Sequence, residues 1–470
     1  MPTPARSAAG LVRQLGVVSA AAIVVSNMVG TGIFTTSGFL AGQLGSARLI
    51  LLIWGVGALC ALLGSFCYSE LGINYPSSGG EYVYLTEAYG PTWGFMSGWI
   101  SFFAGFSAPI ALAALAFSDY VGYFFPAVKQ ANAQFSFGSG DMTFKIGGAQ
   151  ALASVLILGF TLLNLLNLKQ VARVQNSLTG LKLVVLAAFI FFGLTAGTGD
   201  WSHFSTPAVR NVDTSLAAQF PISLFWIYLA YSGWNAATYI AEELKRPERT
   251  LPIALTVGTI LVSALYILLN VVFIYSTPLE NMKGEIAIGS ITAKNLFGSE
   301  VAGVFSALMA VSLMSTVNAM VTIGPRLYFA MAKNGAFFQI AARVHEKRHV
   351  PTVAILCQGL CSMILTLTPF PQLVYYIGFC LNFFIVISVG TLLVFRRRPG
   401  WQKMRVVSFA YPLVPVTFIL IGVWMTIYGL TIQPVVSLLA SLTIAAGAVV
   451  YRFRLRTHVR ESGPTALERI

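Results

Sequence analysis

The stretch VVSNMVGTGIFTTSG, Val24 to Gly38, lies inside the first long apolar segment of the chain. Its middle carries Ser26, Asn27, Gly30 and Gly32, which are poor helix formers. Where a helix lies in lipid, an interruption leaves main-chain N–H and C=O groups without water to bind. Such a break survives only where it is buried in protein or lines a cavity, so the stretch predicts a functional interruption.

The composition of the chain is that of an integral membrane protein. Of 470 residues, 56% are hydrophobic and 10% are charged, against about 25% charged residues in an ordinary soluble domain. The net charge of +13 would suggest nucleic acid as a partner for a soluble protein, but here we expect the basic residues to flank membrane spans. The five cysteines and four histidines show no metal-binding spacing, so no metal or cofactor is expected.

The charge-free stretches predict twelve spans. Eight stretches have room for one span of about 20 residues each. Two longer stretches, 350–395 and 406–451, have room for two each and break at the prolines of Pro369–Pro371 and Thr431–Pro434. The fold class expected is an all-α membrane protein with twelve transmembrane helices.

The distribution of Lys and Arg predicts the orientation. If the N-terminus is cytoplasmic, most of the 29 Lys and Arg residues fall on the cytoplasmic side. The outer side then carries six: Arg48, Lys129, Lys145, Arg210, Lys283 and Lys294. Positive charge is concentrated in cytoplasmic loops, so we expect a multi-pass protein of the cell (inner) membrane with both termini in the cytoplasm.

A second interrupted helix is predicted in the sixth span. The sequence LAYSGWNAATYIAEE, Leu229–Glu243, places Ser232, Gly233 and Asn235 near the middle of that span. The sixth span crosses the membrane in the direction opposite to the first. Two broken helices at matching places in oppositely oriented halves point to a transporter built from inverted repeats.

The two breaks suit a zwitterionic ligand. The main-chain N–H groups of Gly30–Gly32 open the outer half of the first span, where the positive end of the helix dipole favours a carboxylate. An ammonium group requires acceptors nearby. The carbonyl groups predicted to receive it are those of Met28, Val29, Leu229 and Ser232. The alternative is that the glycines only allow two helices to pack closely.

Several motifs resemble the amino acid–polyamine–organocation superfamily and, within it, the L-type amino acid transporter branch. They are VGTGIF, CYSELGINYPSSGGEYVYLTEAYG, LNLKQVARVQNSLTGLKL, AYSGWNAATYIAEELKRPERTLPIA and VNAMVTIGPRLYFAMAKNG. The resemblance covers spans 1 to 10. It implies a leucine-transporter-like 5+5 inverted repeat with two additional C-terminal helices. The boundaries expected are 1–13 (cytoplasmic N-terminus), 14–200 and 201–398 (the two repeats), 399–455 (additional helices) and 456–470 (cytoplasmic C-terminus).

The resemblance also implies a function and roles for individual residues. It implies sodium-independent exchange of amino acids, with the substrate carboxylate on the amides of Thr31 and Gly32. The substrate ammonium would then bind the carbonyls of Met28, Leu229 and Ser232, in agreement with the acceptors predicted at the two breaks. Family members often carry an aromatic gate where this chain has Leu229. Asn235 matches a position tied to transport, with a helix-packing amide as the alternative.

Lys182 is expected within the fifth span. One interpretation is a lysine whose side chain reaches the inner membrane surface. The other is a functional charge, since ionisable groups inside membranes are usually functional. The family resemblance places a lysine where sodium-coupled relatives hold a cation. There it would link the carbonyls of the first span to the eighth span through Ser312 or Ser315.

Two departures from animal members of the family affect partners and substrate. The outer loop Ala127–Lys145 has no cysteine, whereas animal members form a disulfide there with a heavy chain. We therefore expect a prokaryotic member that needs no such partner. Phe106 stands where animal members carry a basic residue, and with Ala108 it predicts an apolar pocket wall suited to neutral L-amino acids.

Other functions remain as alternatives. Proton-coupled symport would require a buried titratable group, for which Lys182 is the candidate. A membrane-embedded enzyme would require clustered catalytic residues at one depth, which the spans lack. A channel would require a continuous polar pore, whereas the polar residues concentrate at the two breaks. The partners expected are an amino acid substrate and the lipid bilayer, without nucleic acid.

Overall fold

The computed structural model of the chain describes residues 13–77, 79–138, 143–166, 168–333, 335–344 and 350–455. Most of the predicted N-terminal segment (residues 1–12) and the whole predicted C-terminal segment (residues 456–470) lie outside the described residues. The described part is almost entirely helical, with one two-stranded sheet. The prediction of a mainly α-helical membrane protein is confirmed at this level.

The helices follow one another with short connections. In the first half they are α1 Val17–Met28, α2 Thr31–Leu44, α3 Ala47–Asn74, α4 Glu81–Tyr89, α5 Pro91–Ile100, α6 Ala108–Val121, α7 Gly148–Asn164 and α8 Leu168–Thr195. In the second half they are α9 Leu216–Tyr231, α10 Pro247–Ser276, α11 Leu279–Met282, α12 Ile288–Phe297, α13 Ser299–Lys333, α14 Thr352–Leu365, α15 Phe370–Phe395, α16 Arg405–Phe409, α17 Leu413–Ile432 and α18 Pro434–Val450.

Among the described residues, eight helical segments are long and apolar enough to cross a membrane. A bent pair, α1 with α2, adds a ninth, and α7 and α14 are shorter apolar helices. The segment α5–α6 runs through a π-helical stretch, Ser101–Ser107, as one continuous helix. The prolines expected to separate spans do so, since α15 begins after Pro369 and α18 begins at Pro434.

The first break lies slightly earlier than the glycine motif indicates. Helix α1 ends at Met28 and α2 begins at Thr31, and the two are bent by 42°. Only Val29 and Gly30 are outside helical structure, whereas Thr31 and Gly32 form the first turn of α2. We call the end of the helix bundle where α1 begins the N-terminal face, and the end where α2 finishes at Leu44 the far face.

The second break follows α9. Ser232 leaves the helix with φ −52° and ψ 140°, and Gly233 has φ +100°, a conformation that residues with a Cβ rarely adopt. A 3₁₀ segment, Ala236–Glu243, then continues toward the N-terminal face, where the main-chain N–H of Lys245 donates to the carbonyl of Leu15. Interruptions therefore occur in both segments where the sequence predicts them.

The sheet is a short antiparallel hairpin between α6 and α7. Its strands are β1 Phe135–Phe137 and β2 Phe144–Ile146. The core of the molecule lies among α1, α2, α3, α6, α9, α10, α13 and α15, whose apolar side chains are buried together. Other apolar side chains face outward along α3, α7, α8, α10 and α17, which suits a surface covered by lipid rather than by water.

Candidate substrate site at the two helix breaks

The two breaks lie in direct contact. A Cβ atom on Gly32 would stand 2.3 Å from the Cα of Ala230, so α2 and α9 approach more closely than any side chain at that position allows. On the other side of the site, a Cβ on Gly233 would stand 2.8 Å from the main-chain carbon of Asn27. The glycines thus bring the two interrupted helices together. The motif therefore combines a helix break with close helix packing.

The start of α2 presents hydrogen-bond donors. The first N–H groups of a helix have no acceptor within that helix, and the positive end of the helix dipole lies beside them. In α2 these groups belong to Thr31, Gly32 and Ile33, and the preceding Gly30 is extended with no side-chain cap. Thr31 and Gly32 are buried, so an anion held there would be shielded from water. The geometry at these residues suits a carboxylate.

The carbonyl groups at the end of α1 and α9 already share a donor from the protein. The Tyr266 hydroxyl on α10 lies 2.6 Å from the carbonyl oxygen of Met28 and 3.1 Å from that of Ala230. A hydroxyl has one proton, so it satisfies one of the two carbonyls at a time. The Leu229 carbonyl accepts the N–H of Ser232 at 3.1 Å, across the break. Sequence reasoning missed Tyr266, whose only signal is a tyrosine inside an apolar helix.

Lys182 lies within the protein. Its side chain on α8 is 2% exposed, and the ammonium donates to the carbonyl of Val29 and, at 3.4 Å, to that of Ser26. The lysine therefore binds the unwound end of α1. Next to it, the hydroxyls of Thr179 on α8 and Ser315 on α13, the predicted eighth span, are 3.4 Å apart. A link from Lys182 itself to Ser312 or Ser315 stays a prediction.

Helix α13 supplies hydroxyl groups beside the break. The nearest atoms to a Cβ placed on Gly30 belong to the Thr316 side chain, at 3.6 Å, so this position is more open than Gly32. The Oγ1 of Thr316 and the Oγ of Ser312 are buried and have no hydrogen-bond partner among the described residues. Buried hydroxyls usually have a partner, so these two are available to a polar ligand or to water. Thr316 was not predicted as a site residue.

Asn235 faces the N-terminal side of the break. Its side-chain amide donates to Glu81 at the start of α4, and the same carboxylate accepts hydrogen bonds from the hydroxyls of Tyr68 and Tyr239. Glu81 and Tyr239 also line a small cavity. Asn235 thus joins the broken helix to α3 and α4, and its direct contact with substrate stays a prediction.

On the far-face side, aromatic rings cover the breaks. Trp226 of α9 stacks on Phe39 of α2 with ring centroids 4.3 Å apart, and Phe370 of α15 lies 5.9 Å from Phe39 in a parallel plane. Beyond the rings, Gln43 donates to the hydroxyl of Tyr375 at 3.0 Å. Trp226 lies three residues before Leu229, the position at which the resemblance implies an aromatic gate, and a gating role stays a prediction.

The apolar wall predicted in the third span has a different neighbourhood from the breaks. The Phe106 ring lies edge-on to Tyr328, 6.1 Å between centroids, in an aromatic cluster with Phe102. Ala108 is fully buried at the start of α6. Their role in side-chain selection stays a prediction.

Comparisons with known proteins identify the family of the chain. The sequence profile of the amino acid permease family matches residues 15–451. The large neutral amino acids transporter small subunit 2 of Mus musculus is 29% identical over 451 residues, which cover 94% of this chain and 81% of that protein. The Asc-type amino acid transporter 1 of Mus musculus is 28% identical, covering 94% and 81%.

A bacterial protein is similar to the same degree. The serine/threonine exchanger SteT of Bacillus subtilis (strain 168) is 29% identical over 413 residues, which cover 87% of this chain and 89% of that protein. The family match includes both helix breaks and, among the described residues, every candidate span except the last two residues of the final one. The chain therefore belongs to the amino acid permease family.

Proposed function

We propose that this chain is a sodium-independent exchanger of neutral L-amino acids in the cell membrane. The observation that carries the proposal is the contact between the two breaks. There, the start of α2, which carries the N–H groups of Thr31 and Gly32, packs against Ala230 of α9. The carbonyl of Ala230 shares the Tyr266 hydroxyl with the carbonyl of Met28 at the end of α1. Donors for a carboxylate and acceptors for an ammonium at one buried place match the two charged groups that all α-amino acids share. The relatives named as amino acid transporters and as an exchanger support the same substrate class.

The proposed architecture has twelve spans. The helical segments with membrane length, the bent α1–α2 pair, the shorter α7 and α14, and α9 with its 3₁₀ continuation account for them. Each broken span then opens a group of five, 14–200 and 201–398, followed by α17 and α18 within 399–455. With both termini cytoplasmic, the N-terminal face is cytoplasmic and the Glu81 cavity lies on that side.

We propose that the substrate binds main-chain groups of residues 28–32, of Leu229 and of Ser232. Asn235 positions the break after α9 through its hydrogen bond to Glu81. Lys182 replaces a coupling cation by holding the end of α1 at the carbonyl of Val29. Phe106 and Ala108 would limit the substrate side chain to neutral groups. No heavy chain is required in this proposal.

The purified chain in proteoliposomes tests the function. We expect uptake of labelled neutral amino acids only when the vesicles contain unlabelled amino acid, with no effect of replacing sodium by choline. Uptake into empty vesicles driven by an inward proton gradient would overturn exchange. It would favour proton symport, for which Lys182 is the buried ionisable candidate.

A further inference from the structure

The hairpin between α6 and α7 has one entirely apolar face. Its cross-strand pairs are Phe135 with Ile146 and Phe137 with Phe144. Residues directly opposite one another in an antiparallel pair lie on the same face, and so do residues two apart along a strand. All four apolar side chains therefore share one face, which we name the hairpin face. The remaining pair, Ser136 with Lys145, lies on the opposite face.

The hairpin face is uncovered. Phe135 is 68% exposed, Phe137 50% and Ile146 44%. The rings of Phe137 and Phe144 stack on each other with centroids 5.3 Å apart, and Phe144 is only partly buried. Four large apolar side chains on a six-residue sheet are unfavourable in water, because exposed apolar area raises the free energy roughly in proportion to its size.

Lys145, on the opposite face, holds the hairpin to the protein through its side chain and its main chain. The Lys145 ammonium lies 3.5 Å from the carbonyl oxygen of Gln130, and the Lys145 N–H donates to the carbonyl of Leu367 at 3.1 Å. Leu367 is three residues before Phe370, which packs against Phe39 of α2. The hairpin is thus fixed at the far face, with its apolar side turned away from the molecule.

The height of the hairpin relative to the spans favours lipid as its partner. Ile146 lies two residues before α7 begins, and α7 carries exposed apolar side chains at Val155, Leu158 and Leu162. At the other end, Phe124 and Phe125 are exposed just after α6 finishes. The hairpin face therefore lies, along the chain, between two segments with exposed apolar side chains. Aromatic side chains are enriched where membrane meets water.

We propose that the hairpin face binds the phospholipid bilayer, resting at the boundary between headgroups and acyl chains of the far-face leaflet. The Phe137 and Phe135 rings enter the acyl region, and Ser136 and Lys145 remain on the protein and headgroup side. The hairpin thereby fixes the level of α6 and α7 in the membrane while α2 and α9 change position. This inference is independent of which substrate is carried.

Photo-crosslinking tests the inference. The variant Phe137→p-benzoylphenylalanine is reconstituted in vesicles of phosphatidylcholine and phosphatidylglycerol, irradiated, and measured by intact-protein mass spectrometry. We expect an adduct with the mass of one phospholipid. The matched control Ser136→p-benzoylphenylalanine, on the opposite face of the same strand, should give several-fold less of it.

Three outcomes would overturn the inference. A covalent dimer from position 137 would identify the hairpin face as a contact between two copies of the chain. Absence of any adduct at 137 would show that the ring faces water. Equal lipid adducts at 136 and 137 would remove the difference between the faces. Phe135→p-benzoylphenylalanine repeats the test on the same face if the first variant does not fold.

Discussion

The break between α1 and α2 offers a carboxylate main-chain donors, and one of them can be removed alone. Thr31 is the first residue of α2 and follows an extended Gly30, a position at which proline is compatible with a helix. Thr31→Pro therefore removes one N–H with little disturbance of the fold. A hydrogen bond to a charged group contributes about 1.5–3 kcal/mol. We expect the half-saturation concentration for uptake to rise about tenfold to a hundredfold.

The control for this substitution keeps the N–H group. Thr31→Ala removes the hydroxyl and leaves the main-chain donor, so its uptake should remain close to that of the parent chain. Both variants should reach the membrane in similar amounts. If Thr31→Pro transported with unchanged affinity, the substrate carboxylate would have to bind elsewhere.

Substitution of Lys182 tests the role of a side-chain charge rather than that of a main-chain group. Lys182→Met keeps an unbranched side chain of similar length but removes the donor to Val29 and Ser26. We expect the exchange rate to fall by about tenfold or more, equivalent to about 1.4 kcal/mol in the barrier, with expression retained. Val184→Met on the lipid-exposed side of the same helix is the control. Normal turnover with reduced expression would assign Lys182 a purely structural role.

The residues that interrupt the helices could be predicted from the sequence, whereas their partners could not. Gly30 and Gly233 interrupt helices for local reasons that the sequence reveals. Tyr266 and Thr316 reach the break only through tertiary packing of helices far apart in the chain. Neither residue differs locally from an ordinary polar side chain in an apolar helix, so no signal separates them beforehand.

At the scale of helices, the far-face contact among α2, α9 and α15 closes one side of the site. Trp226 is fully buried and stacks on Phe39. Removing a buried tryptophan side chain costs about 3–5 kcal/mol of packing. The loss destabilises the arrangement in which the far face is closed, because α2, α9 and α15 meet through the Trp226 side chain. Trp226→Ala should therefore increase the population in which the far face is open.

Labelling measures this population. Thr316→Cys places a thiol beside Gly30, below the aromatic rings. We expect Trp226→Ala to raise the rate at which a membrane-impermeant thiol reagent, added from the far face, labels that cysteine by about a hundredfold or more, because the closed arrangement loses about 3 kcal/mol or more. The parent chain without Thr316→Cys corrects for Cys357, which is exposed. The control is Trp424→Ala, in the partly exposed α17, which should leave the labelling rate unchanged. Equal labelling rates in the Trp226→Ala and Trp424→Ala variants would exclude a gating role for Trp226.

At the scale of the whole molecule, apolar stretches predicted long apolar helices because lipid leaves few alternatives to a helix. Prolines predicted where α15 and α18 begin. The hairpin could not be predicted, since its strands have only three residues each and appear in the sequence as part of a polar loop. The same limit applies to long-range ion pairs. Glu70 directly follows the charge-free stretch that ends at Ser69, and nothing in the sequence indicates what its carboxylate binds.

The structure places Glu70 in a buried ion pair that joins the two halves of the chain. Its carboxylate accepts two hydrogen bonds from Arg396, both at 2.6 Å, and one from Trp401 at 2.9 Å. Removing one member of a buried pair leaves the other charge uncompensated, at about 3–5 kcal/mol. Glu70→Gln should therefore clearly lower the unfolding temperature in detergent. Glu280→Gln, which breaks the exposed pair with Lys283, should change it far less; equal shifts would contradict this assignment.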